Sequence, residues 1–94
     1  MHTDEYEISL NREINHCAGV VRKIREALTL RQRQFGMEYP EASAAAEVEL
    51  LAVSRRELAA WQEDFEALPE WERRLEEYRE ALSMMRISAS RFKG

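Results

Sequence analysis

The sequence predicts an all-α protein, a small antiparallel helical bundle made of a helical hairpin plus a third helix after Pro69. Two observations carry that expectation. Apolar residues recur at alternating spacings of four and three along most of the chain, the period of an amphipathic helix with a coiled-coil seam. Glycine and proline, which punctuate helices, are few and scattered: three glycines and two prolines in 94 residues. A chain of that length holds one domain with a thin core, so residues 1–94 are read as a single helical domain.

The first helix is placed at about residues 4–35. Leu10, Ile14, Cys17, Val21, Ile24 and Leu28 form its seam, Phe35 follows one heptad after Leu28, and Arg31 interrupts the row between them. Asp4 with Glu7 fits a capping box at its start. Acidic residues in the first turn and Arg31 and Arg33 near the end suit the helix dipole. Gly36 is suited to the position just past the helix and Pro40 to the first turn of the next, so a loop falls at about residues 36–39.

The second helix is placed at about 40–67, where Leu51, Leu58 and Phe65 repeat every seven residues and Trp61 and Leu68 fill the alternate positions. Ala46, Val53, Ala60 and Ala67 form a parallel row of small residues. Alanine favours helix wherever it stands, and that reading is preferred over close approach of a neighbour. The third helix, at about 69–91, carries Trp71, Leu75, Tyr78, Leu82, Met85, Ala89 and Phe92. Between Phe65, Leu68 and Trp71 two spacings of three fall in a row, a stammer in the heptad register, with Pro69 inside it. Proline removes a helical hydrogen bond and clashes with the preceding turn. Glu70 and Glu72 after it suit a helix start, whereas Glu63, Asp64 and Glu66 before it are wrong for a helix end. The reading adopted is a break. The alternative is a kinked helix of about fifty residues spanning some 75 Å.

Charge adds a pattern to the net of −4. Residues 1–35 and 69–94 each carry six basic and five acidic side chains, while residues 36–68 carry two basic and eight acidic. The excess acidity therefore lies in the middle third, and no basic face for nucleic acid is expected. A short loop makes the first two helices antiparallel. The basic end of the first (Arg22, Lys23, Arg25, Arg31, Arg33) would then lie beside the acidic start of the second (Glu38, Glu41, Glu47, Glu49).

Candidate chemistry is sparse. Glu13 and His16 match the Glu-x-x-His spacing of di-iron bundles, but the other histidine, His2, has no glutamate three residues before it. His16-Cys17-Ala18-Gly19 is similar to the helical histidine of phosphotransfer domains, except that the glycine comes one residue early and the lysine is missing. Cys17 is alone, which excludes an intrachain disulfide, and sits on the seam as a small buried hydrophobe. In size and helical content the chain is similar to chorismate mutases, whose dicarboxylate substrate needs several converging cations. Arg31 is the one arginine on a seam, while Arg22, Lys23 and Arg25 lie off it. Trp61 and Trp71 are read as core fillers in register with the apolar rows rather than as binding hot spots. No catalytic residue, metal ligand or cofactor is assigned. The alternative kept open is a small all-α enzyme or metal-binding bundle.

The stretch from Cys17 to Leu28, the loop and Glu47-Val48-Glu49-Leu50-Leu51 onward resembles small acidic helical-hairpin immunity proteins that neutralise bacterial secretion-system toxins, and is somewhat similar to small secretion chaperones. The resemblance implies a protein that works by covering a protein partner. With the exclusions above, it makes a non-catalytic protein-binding module the expected function. The expected contact surface is the acidic middle third, Glu49, Glu57, Glu63, Asp64 and Glu66, facing a basic partner. A homodimer is also expected, because Leu30, Leu50, Met84 and Ile87 widen the apolar faces beyond what a two-helix hairpin covers. The acidic N-terminus and the absence of a long apolar run point to a cytoplasmic protein with no membrane contact.

Overall fold

The computed structural model describes residues 5–93, with side chains through Ser88. Asp4 of the expected capping box, and the seam side chains of Ala89 and Phe92, lie outside the described residues. The described chain is all-α: α1 spans Glu5–Phe35, α2 Tyr39–Glu47 and α3 Arg55–Lys93, with no strand among the described residues.

The first helix follows the sequence reading closely. Leu10, Cys17 and Val21 are buried, and the other seam members, including Arg31, are half-buried. Gly36 ends the helix in the left-handed region at φ 72°, and its N–H donates to the Gln32 carbonyl at 2.8 Å. That is the single-bond left-handed cap, which glycine fills without a Cβ penalty. Tyr39 opens α2 with Glu38 as N-cap, so Pro40 sits in the first turn, where its missing N–H costs nothing.

The break expected at Pro69 is instead at residues 48–54, and Pro69 lies inside a continuous α3. Two local devices set the break. At the end of α2, Glu49 turns left-handed at φ 59°, and its N–H reaches the Ala46 carbonyl at 3.2 Å while that of Leu50 reaches Ala45 at 2.8 Å. These are the two bonds of a Schellman motif. At the start of α3, Ser54 Oγ accepts from the Glu57 N–H at 3.1 Å, and its carbonyl takes the first helical bond from Leu58 at 2.9 Å. Ser54-Arg55-Arg56-Glu57 has the spacing of a capping box, a stronger start signal than Glu70 and Glu72.

The seam of α3 also differs from the expected one. Trp61, Leu75 and Leu82 are buried, and Asp64, Leu68, Trp71, Tyr78 and Met85 are half-buried. Their spacings run 3, 4, 3, 4, 3, 4, 3 with no stammer, once Asp64 is accepted as a seam residue. The row of Leu51, Leu58 and Phe65 is not the core stripe: Leu51 is off the helix and Phe65 is 40% exposed.

The chain divides into two compact units. One holds Arg22–Glu70; the other holds the described residues up to Val21 and from Trp71 onward. In the latter, α1 and α3 run antiparallel, as His16 meets Trp71 and Glu7 meets Arg86, and the buried residues are Leu10, Cys17, Val21, Leu75 and Leu82. In the former, the pairings Arg31 with Asp64 and Phe35 with Trp61 show the same antiparallel sense, and Trp61 and Ala42 form the fully covered centre.

Candidate binding surface

The candidate surface lies in the unit Arg22–Glu70, whose packing is aromatic. Trp61, 1% exposed, stacks on Phe35 with ring centres 5.2 Å apart and meets the edge of Tyr39 at 6.0 Å. Tyr39 in turn lies 5.3 Å from Phe65. Rings in such offset and tilted arrangements add about 0.5–1.5 kcal/mol each beyond their buried area. The chain of contacts ends in the open, because Phe65 is well exposed.

Beside this ladder is a cleft of about 240 Å³. Its apolar walls come from Leu28 of α1, Tyr39 of α2, and Trp61, Phe65, Leu68 and Pro69 of α3. Gln32 and Glu38 supply its polar lining. Glu38 is exposed and makes no side-chain bond to the helix it caps. Pro69 has no N–H to give the Phe65 carbonyl, so that acceptor lacks its usual helical donor.

The five carboxylates expected to form one contact face are dispersed. Glu49 is exposed in the turn after α2, not on a helix. Glu57 is half-buried in the first turn of α3. Asp64 pairs with Arg31, Nη1 to Oδ2 at 3.0 Å, with side chains 31% and 21% exposed. Glu63 and Glu66 are exposed on α3, and Glu66 accepts from Gln62 at 3.1 Å. A seven-residue separation puts Glu57 and Asp64 on the seam side, while Glu63 and Glu66 lie about 60° apart on the outer side. Arg31, expected among the acidic residues at the start of the second helix, is held by Asp64 instead.

The remaining candidates take ordinary places. Cys17 is buried and unpaired. Glu13 and His16 are exposed, with the His16 ring 5.7 Å from Trp71, edge on. No group of three or more His, Cys, Asp or Glu side chains among the described residues is arranged to hold a metal ion. Trp71 is half-buried beneath the Arg74 guanidinium, 4.9 Å from the ring centre. In the other unit a shallow groove of about 470 Å³ carries Arg79 and Arg86, and Arg86 is 3.9 Å from Glu7.

Sequence reasoning missed Glu38, Tyr39 and Pro69 as parts of a site. Phe35, Tyr39, Trp61 and Phe65 recur at spacings of four on either side of the connection, and in an antiparallel pair such residues meet. That was the available signal. No helix among the described residues is long and apolar enough to cross a membrane. Comparison with protein-family models, with curated proteins and with solved structures finds no match.

Proposed function

We propose that this chain is a non-catalytic protein-binding module that acts by covering a protein partner, and that the Arg22–Glu70 unit makes the contact. The observation that carries the reading is the apolar cleft with its open aromatic wall, Tyr39 and Phe65 over a buried Trp61 floor. Exposed aromatic groups beside a preformed apolar recess are the usual composition of a binding hot spot. Glu49, Glu63 and Glu66, exposed in the same unit, supply a field that favours a basic partner and speeds encounter more than it holds the complex. Covering a partner is the mode of action of the immunity proteins and secretion chaperones that the sequence resembles.

The experiment is affinity capture from the native cell with the intact chain and with Phe65→Ser, a change at an exposed position that leaves the Trp61 core in place. The reading expects one protein enriched by the intact chain and lost with the variant. An identical set of captured proteins from both would refute it.

A further inference from the structure

The cleft also indicates what it receives. We propose that it takes a polypeptide segment in which one large apolar side chain stands next to an arginine or lysine: the apolar group enters the recess and the cation lies on Glu38. This rests on the binding-module reading and adds the chemistry of the partner to it.

Size comes first. A cleft of about 240 Å³ is smaller than the range of roughly 300–1,000 Å³ typical of sites for whole small molecules, and it suits a side chain. Apolar walls on three helices define what enters: a ring or a branched aliphatic group. The polar lining defines what stands beside it. Among the described residues Glu38 is the one charged group that lines the cleft, and its carboxylate is not spent on capping α2. Gln32 can accept as well as donate. The one charge is negative, and a cationic donor is the group that pairs with it. The surrounding charge agrees, since residues 22–70 carry seven basic and ten acidic side chains. A carboxylate on the ligand would face Glu38 in a site with no lysine or arginine among its lining residues.

Two synthetic peptides test this: acetyl-Ala-Arg-Phe-Leu-Arg-Ala-amide and its twin with glutamate in place of both arginines. Each is titrated into the full chain and followed by amide and indole NMR signals. The basic peptide is expected to shift Tyr39, Phe65 and the Trp61 indole and to bind at least tenfold more tightly than its twin. Glu38→Gln, at an exposed position, should weaken the basic peptide by about fivefold, the upper value for one exposed charge pair. Phe65→Ala should weaken both peptides by roughly tenfold or more. Equal binding of the two peptides, or no effect of Glu38→Gln, would overturn the cation and leave the binding-module reading intact. Cleft signals that move with the protein's own concentration and not with either peptide would assign the cleft to a second copy and overturn the proposal. Failure of the module reading itself shows separately, as capture from cells that is insensitive to Phe65→Ser.

Discussion

Pro69→Ala should make this protein more stable and a poorer binder. Pro69 lies fourteen residues beyond the start of α3 and is exposed, so the substitution neither caps a helix nor empties the core. Proline in a helix interior is about 3 kcal/mol less favourable than alanine, because the N–H is missing and the ring crowds the preceding turn. Alanine restores the donor to the Phe65 carbonyl. Against this, the unfolded chain gains freedom worth about 0.4–1 kcal/mol. The net is about 2 kcal/mol of stabilisation, which in a domain of this size raises the melting temperature by roughly 8–16 °C. Thermal unfolding followed by circular dichroism at 222 nm measures it. The same change cuts back an apolar wall residue of the cleft, so the basic peptide should bind more weakly. A melting temperature that stays level or falls would refute the reasoning. It would mean that the path of α3 through Pro69 is one the core requires.

The Arg31–Asp64 pair should behave as a coupled unit, both side chains being less than a third exposed. Asp64→Leu alone should destabilise by about 1–2 kcal/mol and Arg31→Met should recover most of that loss, a coupling that a double-mutant cycle in urea measures. Ser54→Ala should cost about 1 kcal/mol by freeing the Glu57 N–H, visible as a lower urea midpoint with an unchanged slope. Glu49→Gly should raise that midpoint, through a stability gain of about 0.5–1 kcal/mol, since a left-handed non-glycine residue costs roughly 1–2 kcal/mol and glycine returns part of that as entropy. If the chain forms the expected homodimer through its exposed Met84 and Ile87, analytical ultracentrifugation should show a dimer that Met84→Gln with Ile87→Gln converts to monomer.

The first helix was readable from its apolar period, its acidic start and Gly36, because all three agree locally. Where the second helix ends was not, because two signals competed. Pro69 is the louder one in sequence, yet a proline costs a fixed few kcal/mol that a long packed helix can absorb. Ser54 and Glu57 are quieter, but they satisfy a backbone donor that would otherwise be orphaned. Misplacing the break then misplaced the seam. With Asp64 taken as a surface acid, the row had to jump from Phe65 to Leu68 and Trp71, and a stammer resulted. Arg31 and Asp64 each look like faults in a seam when read alone. Read together, at opposite positions of antiparallel helices, each explains the other. The same error spread the expected acidic face over a helix that does not exist as such, since Glu49 belongs to a turn and Asp64 to the seam. The cleft was out of reach for a further reason: its walls come from three helices, and only the fold brings Leu28, Tyr39 and Phe65 to one place.

The features that local stability would select against gather in one part of the chain. A proline within a helix, a glutamate in a left-handed turn and an ion pair on a coiled-coil seam all fall between Arg22 and Glu70. The other unit buries Leu10, Cys17, Val21, Leu75 and Leu82 along regular apolar rows. Sequences specify a fold best where local and global preferences agree, and natural proteins depart from that agreement mainly where function requires it. Pro69 lines the cleft, and Asp64 stands one helical turn from Trp61 and Leu68, which also line it. Repairing Pro69 or Glu49 should therefore add stability, but only the residue that lines the cleft should also shorten the lifetime of the complex, since the exposed Glu49 charge acts on encounter alone. Pro69→Ala and Glu49→Gly differ in that respect, and comparing their effects on the basic peptide separates a residue kept for the site from one kept for the turn.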